Sequence, residues 1–148
     1  MSSHTGDLLT GLAGSIASAG IGTYLTGSSV FTAGQTGIGI GQLPETTDRA
    51  VAITDYGTAG DEITQAITTI AVQVLCRSNR NDRLDLASLR DSIFQLLQGM
   101  THVNYGTCHV IQARRISSVP LGLDENDRWL QADNYYFDCN TPASAYRS

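Results

Sequence analysis

Three histidines and three cysteines are the residues of this chain best suited to metal binding or nucleophilic catalysis, but their spacing fits neither chemistry. The sequence contains no HExxH, GxSxG or CxxC motif. His109 adjoins Cys108 in a predicted strand, so the two side chains point to opposite faces and cannot share a metal ion. His102 and His109 are interpreted as surface or hydrogen-bonded histidines, and the cysteines as buried free thiols. The histidines and cysteines therefore predict no catalytic residue, no metal site and no cofactor.

Two acidic clusters, Asp61-Glu62 and Asp124-Glu125 with Asp127, are the remaining candidates for general acid–base catalysis. Both lie in turn-like sequence, where aspartate commonly hydrogen-bonds its own backbone. The second cluster leaves a weak Ca²⁺ site open, although it lacks the D-x-[DN]-x-[DN]-G pattern and its closing glutamate. Gly37-Ile38-Gly39-Ile40-Gly41 is interpreted as a closely packed strand. A phosphate-binding loop would need a lysine, and the chain contains none.

The last third of the chain predicts a surface that binds other proteins. Arg114-Arg115 and Arg128-Trp129 lie on either side of a wide polar loop in a predicted β-hairpin. Arginine and aromatic residues dominate binding hot spots, because they combine contact area with fixed hydrogen-bond geometry. In the alternative interpretation, Trp129 fills the edge of the core and the arginines pair with nearby aspartates. The predicted interface residues are Arg114, Arg115, Asp124, Arg128, Trp129 and Asp133.

Composition indicates one globular domain spanning residues 1–148. The chain is 41% hydrophobic and 16% charged, which is typical of a folded protein of this length. Its net charge of −5 argues against sequence-independent binding to nucleic acid, which requires a basic surface. No apolar run approaches the ~20 residues of a membrane span, and no signal peptide is visible. We expect a protein made in a reducing cytoplasm.

The periodicity of apolar residues predicts an α+β fold. The expected architecture is a mostly antiparallel sheet of about four to five strands with two helices packed on one face. The other sheet face must then be polar or covered by another element. The predicted helices are Asp7–Ala19 and Leu84–Leu97. The predicted strands are Gly37–Gly41, Arg49–Tyr56, Gln65–Arg77, Thr107–Ile116 and Trp129–Asn140, with a short strand around Val30-Phe31.

Motifs spread along nearly the whole chain resemble the tail terminator family of long-tailed bacteriophages, whose members are often labelled minor capsid or tail completion proteins. The motifs occur in the same order as in the family, and the last group is the most specific. They are Asp7-Leu8-Leu9-x-Gly-Leu12, Ala19-Gly20-Ile21-Gly22, Pro44 with Asp48-Arg49-Ala50-Val51, Val72-Gln73-Val74, and Pro120-Leu121-Gly122-x-Asp124-x-Asn126-x-Arg128-Trp129 with Asp133-Asn134-Tyr135-Tyr136.

The resemblance implies a structural virion protein without enzymatic activity or cofactor. Members assemble as a homo-hexameric ring on the finished tail tube, stop polymerisation of the tube protein and present a surface to the head–tail connector. DNA passes through such a ring without specific binding. The expected location is the head-proximal end of the tail, after assembly in the host cytoplasm.

Two other classes of function remain open from the sequence. One is a different neck protein, such as a head–tail joining protein, which a tail phenotype would distinguish. The other is a small-ligand-binding or hydrolytic domain that uses the open sheet face. An apolar pocket with converging polar groups and shifted pKa values would support that second class.

Overall fold

The computed structural model describes residues 3–26, 29–57 and 66–142, so the predicted Asp61-Glu62 cluster and the start of the predicted strand Gln65–Arg77 lie outside the described residues. The described residues form two helices and seven strands. In chain order the elements are α1 (His4–Ser18), β1 (Thr23–Tyr24), β2 (Gly37–Ile40), β3 (Ala50–Tyr56), β4 (Ile67–Arg80), α2 (Arg83–Leu97), β5 (Thr101–Tyr105), β6 (Cys108–Leu123) and β7 (Arg128–Asn140).

The seven described strands form one mixed sheet in the order β1-β2-β3-β4-β7-β6-β5. β1 pairs with β2 and β2 with β3 in parallel, whereas the other neighbours are antiparallel. The prediction of a mostly antiparallel sheet of four to five strands is therefore wrong. β1 has only two residues in a Gly/Ser/Thr-rich stretch, and β5 is interrupted at His102, whose φ is 52°. Neither strand has a clear periodic signal.

The strand predicted around Val30-Phe31 is also wrong. These residues lie in the connection between β1 and β2 and have no strand structure, and Val30 is 80% exposed. An apolar pair without a continued alternation is too short to distinguish a strand from a loop.

A buried arginine holds the short connection, without a helix, that joins the parallel strands β2 and β3. The Arg77 side chain, 6% exposed, projects from β4 into this connection. Its Nε donates to the Asp48 carbonyl oxygen at 2.8 Å, and its Nη2 donates to the carbonyl oxygens of Pro44 (2.6 Å) and Thr47. Arg77 thus supplies hydrogen-bond donors that the loop backbone would otherwise lack. A Cβ on Gly39 would lie 2.2 Å from the Gln42 oxygen, which confirms the prediction of a closely packed strand.

Both helices contribute to one hydrophobic core against the same sheet face. Both predicted helices are confirmed. Their observed first residues differ from the predicted ones by at most three positions, and their last residues by at most one. Ser3 caps the start of α1, because its side chain accepts from the Gly6 N–H at 3.0 Å. The buried helix residues are Leu8, Leu9, Leu12, Ala13 and Ile16 in α1, and Leu86, Leu89, Ile93 and Leu97 in α2. All three cysteines are buried and free, as predicted.

The opposite sheet face carries a row of polar side chains. Thr54, Gln73, Asn134 and Ser117 are register partners across β3, β4, β7 and β6, so their side chains share one face. The Asn134 Nδ2 donates to the Ser117 Oγ at 2.9 Å. From the sequence we expected this face to be either polar or covered by another element. At these four positions it is polar.

The β6–β7 hairpin is longer than predicted, and its loop is narrower. β6 continues to Leu123, past the predicted end at Ile116, although Pro120 and Gly122 suggest a loop. Register shifts between Arg115 and Ser117 and between Pro120 and Gly122 accommodate these residues as bulges while the pairing with β7 persists. Only Asp124–Asp127 remains as the loop.

Candidate interaction surface

Asp124 and Arg128 together close the loop between β6 and β7. The Asp124 Oδ1 accepts from the backbone N–H groups of Asn126 and Arg128 at 2.9 Å, and its Oδ2 accepts from the Arg128 Nε at 2.8 Å. Burial acts to raise the pKa of the Asp124 carboxyl, but these hydrogen bonds outweigh burial and hold the pKa below its usual value. Asp124 therefore has the turn-supporting role that its sequence context indicates.

Trp129 is half-buried between the core and an arginine of α2. Its ring packs against the hydrophobic core, and the Arg83 guanidinium lies 5.4 Å from the ring centroid. Its backbone N–H donates to the Ser78 Oγ at 3.0 Å. The ring therefore contributes to the packing of α2 on the sheet and also remains partly accessible at the protein surface.

Asp133 is buried in the middle of β7 and is only 2% exposed. Its two carboxylate oxygens accept from the Arg90 Nε and Nη2, each at 2.9 Å, and Ser118 also donates to Oδ1. The hydrogen bond to Asp133 raises the pKa of the Arg90 guanidinium. Any effect of Asp133 on an interface would act through the position of α2 and β6.

Arg114 and Arg115 are adjacent in β6 but have different environments. The Arg114 Nη1 donates to the Asp138 Oδ2 at 3.0 Å, and its guanidinium lies 5.4 Å from the Tyr136 ring on the polar sheet face. The Arg115 guanidinium lies 4.2 Å from the Phe94 ring of α2. Among the described residues, no carboxylate forms an ion pair with Arg115, so its charge remains available to another molecule.

The edge of β6 between Arg115 and Asp124 carries exposed apolar side chains. The sequence analysis did not predict this edge. The pairing of β5 with β6 ends at Gln112, and Gly99 and Met100 hydrogen-bond the backbone of Ala113. The Gln98 side chain accepts from the Arg115 N–H at 2.7 Å. Beyond that point, no described strand covers the outer edge of β6. The alternation of apolar residues before Asp124 is the sequence signal that could have revealed it. The exposed apolar side chains are Ile116 (41%), Val119 (45%), Leu121 (53%) and Leu123 (49%).

A polar cleft of about 690 Å³ lies between the β2–β3 connection and the β6–β7 loop. Arg77, Arg80 and Arg128 line it together with Asp48 and Glu45. Asp48 Oδ1 lies 3.3 Å from both the Arg80 Nε and the Arg128 Nη1. Because carboxylates and backbone carbonyls satisfy these guanidinium groups, the cleft does not present a concentrated positive charge.

The predicted interface residues thus do not form a single patch. Arg128 and Asp124 fix the hairpin loop, Asp133 is internal, and Trp129 and Arg115 contact α2 at the hairpin's helix-covered face. Within the described residues, no cluster of three or more His, Cys, Asp or Glu side chains is arranged to hold a metal ion. The interface assignment stays a prediction, and the open edge of β6 is the further surface that the structure adds to it.

Fold and surface together define a small α+β protein with one helix-covered sheet face, an opposite face that carries a row of polar side chains, and a strand edge with exposed apolar side chains. A family model described as bacteriophage tail terminator protein matches residues 15–141. The chain belongs to this family, and it is therefore a structural protein of the phage tail.

No curated protein matches the chain. Neither described helix combines the length and the apolar character that would allow it to cross a membrane.

Proposed function

We propose that the protein assembles as a ring on the head-proximal end of the finished tail tube, stops further addition of tube protein and provides the surface to which the head connector binds. Family membership supports the terminator role. The open edge of β6 is the single structural observation that carries the ring, because an assembling protomer needs a surface for its neighbour.

The size and apolar composition of this edge indicate that another protein covers it in the assembled tail. The edge segment Ile116–Leu123 exposes roughly half of each of its four large apolar side chains. Large exposed apolar areas are typical of protein-binding surfaces, and this one segment contains four exposed apolar side chains. The Arg115 guanidinium lies at the start of the same segment, where it can pair with a carboxylate of the neighbour.

Features of the backbone favour contact through side chains over the addition of another strand. Pro120 has no N–H to donate, and the bulges on either side of Ser117–Pro120 distort the edge. Proline and bulges are common devices that prevent uncontrolled pairing between sheet edges. A closed ring also requires head-to-tail contacts between two different surfaces of each protomer, and not one edge meeting its own copy.

Substitution at the edge tests the proposal. We expect the double variant Val119→Asp, Leu121→Asp to fold normally, because both side chains are exposed, and to cap purified tail tubes at least tenfold less effectively. Loss of a hot spot costs about 2 kcal/mol or more, which is enough for this change. The matched control is Val30→Asp, whose side chain is equally apolar and 80% exposed in the β1–β2 connection.

The possible results distinguish an error in the proposed contact surface from an error in the proposed terminator function. If the double variant caps tubes as well as the wild-type protein, the edge of β6 is not the ring contact. If the wild-type protein fails to cap tubes at all, the terminator function itself is wrong. Circular dichroism and thermal unfolding of each variant check that a loss of capping does not reflect loss of folding.

A further inference from the structure

The β5–β6 hairpin brings together two histidines that lie seven positions apart in the sequence. Asn104 pairs with His109 and Val103 with Val110 across the hairpin. His102 Nδ1 lies 3.3 Å from His109 Nε2, and the ring centroids are 5.5 Å apart at an interplanar angle of 36°. Two ring nitrogens, each able to donate an electron pair to a metal ion, therefore face one another at the protein surface.

Asn104 fixes the orientation of the His109 ring. Its Oδ1 lies 2.6 Å from the His109 Nδ1. An amide oxygen only accepts hydrogen bonds, so Nδ1 carries the hydrogen and Nε2 presents its lone pair towards His102. The backbone N–H of His109 donates to the Asn140 Oδ1 at 2.7 Å, which also anchors this residue to β7. An oxygen that holds the second nitrogen of an imidazole is a regular feature of histidine metal ligands.

The backbone of His102 has an unusual conformation. His102 has a φ of 52°, in the left-handed region that residues other than glycine adopt infrequently. It also has no register partner in β6, although Thr101 and Val103 on either side are paired. Strained backbone of this kind persists where the surrounding structure imposes it, and it is concentrated at functional sites.

We propose that His102 and His109 form a two-imidazole binding site for Zn²⁺. Two Zn–N bonds of about 2.0–2.1 Å at a tetrahedral angle separate the nitrogens by about 3.3 Å. The observed 3.3 Å between Nδ1 and Nε2 matches this separation. Zn²⁺ replaces the hydrogen bond between the rings, and His102 then carries its hydrogen on Nε2. Imidazole favours Zn²⁺ over Mg²⁺ and Ca²⁺, which prefer oxygen ligands.

The site supplies two of four tetrahedral positions. The described residues contain no third His, Cys, Asp or Glu ligand beside the pair. The remaining two positions are open to water or to a side chain of another molecule, so the isolated protein binds Zn²⁺ more weakly than a closed four-ligand site.

Titration of the purified protein with Zn²⁺, followed by NMR of the imidazole side chains and by calorimetry, tests the site. We expect the resonances of His102 and His109 to respond first, and His102→Asn to weaken binding at least tenfold. Asparagine is a suitable replacement because it tolerates a left-handed backbone and lacks the imidazole ligand. Asn104→Ala removes only the orienting oxygen and should weaken binding by about tenfold.

His4→Asn is the control, because it removes the third imidazole of the chain while both imidazoles of the pair remain. It also removes the contact between the His4 Nε2 and the Asn140 Oδ1, the oxygen that accepts from the His109 N–H. Its Zn²⁺ affinity should equal that of the wild-type protein. Unchanged affinity in His102→Asn would overturn the proposal, as would a wild-type protein that binds Zn²⁺ no better than Mg²⁺. Thermal unfolding without zinc checks that the variants fold. The test uses the isolated protein, so its result does not depend on the proposed role in the tail.

Discussion

Asp133 carries a carboxylate in a nearly dry environment in the middle of β7. Arg90 is its cationic partner and binds both carboxylate oxygens, and the Arg90 side chain is itself only 15% exposed. Removing one partner of a buried ion pair leaves an uncompensated charge, which typically costs about 3–5 kcal/mol. We therefore expect Arg90→Ala to lower the free energy of unfolding by about this amount in urea denaturation.

Arg80→Ala is the matched control for Arg90→Ala. The Arg80–Asp48 pair is 58% and 40% exposed, and solvent-exposed pairs contribute at most about 1 kcal/mol. Equal losses in the two variants would contradict the assignment of Arg90 and Asp133 as a buried ion pair that positions α2 on the sheet.

The Asp138 carboxyl contributes to the pH dependence of the free energy of unfolding. Burial acts to raise the pKa of its carboxyl, but hydrogen bonds from Thr69, Gln112 and Arg114 outweigh burial and hold the pKa below its usual value. A carboxyl with a lowered folded-state pKa stabilises the protein above its unfolded-state pKa of about 3.9. This contribution is lost as the pH falls from there through the lower pKa of the folded protein.

We expect the free energy of unfolding to fall more between pH 6 and pH 3 in the wild-type protein than in Asp138→Asn, because the variant has no carboxyl to protonate at this position. Urea denaturation at both pH values measures the difference. Asp55→Asn, at an exposed position that has no ion pair among the described residues, is the control and should keep the wild-type dependence. An identical pH dependence in all three proteins would show that Asp138 is not stabilised as a carboxylate.

Two glycines of α1 have opposite roles in packing, although both weaken a helix by their intrinsic propensity. A Cβ on Gly11 would lie 2.3 Å from the Tyr105 ring of β5, whereas a Cβ on Gly14 would have no neighbour within 4 Å. The Tyr105 hydroxyl lies 2.7 Å from the Ser15 Oγ, so the ring is fixed against the helix. Gly11 therefore permits the close approach of α1 and β5.

We expect Gly11→Ala to destabilise the protein by about 1–3 kcal/mol, because the added methyl group forces α1 away from β5. Gly14→Ala should stabilise it by up to about 1 kcal/mol through helix propensity alone. Thermal and urea unfolding of the two variants measure both effects. Stabilisation by both substitutions would contradict the packing of Tyr105 against Gly11.

Elements with a strong apolar period were predictable from the sequence, and short or irregular ones were not. The leucine stripe of α2 and the alternation of β7 place both elements within one residue of their observed starts. Arg77 binds the connection between the parallel strands β2 and β3, although it lies about thirty positions further along the chain. No local pattern encodes such a contact.

The same reasoning applies to the candidate site. Pro120 and Gly122 are typical of a loop, and only the pairing with β7 shows that they belong to a strand with an exposed apolar edge. Charged residues with conspicuous spacing, such as Arg128 and Asp133, were easier to select from the sequence. In the folded protein Arg128 pairs with Asp124, whereas Asp133 pairs with Arg90 of α2.

At the scale of the whole molecule, the two sheet faces have different roles. One face is covered by both helices and contains the core, whereas the other carries the row of polar side chains from Thr54 to Ser117. The net charge is −5, so the surface as a whole does not attract DNA strongly. These properties suit a structural protein of the phage tail.

Electron microscopy of the particles made by a phage that lacks this gene tests the terminator role most directly. We predict headless tails of excessive and variable length, because nothing stops the polymerisation of the tube protein. Complementation with the wild-type gene should restore tails of uniform length attached to heads. Tails of normal length that fail to join heads would contradict the account and would indicate a head–tail joining protein instead.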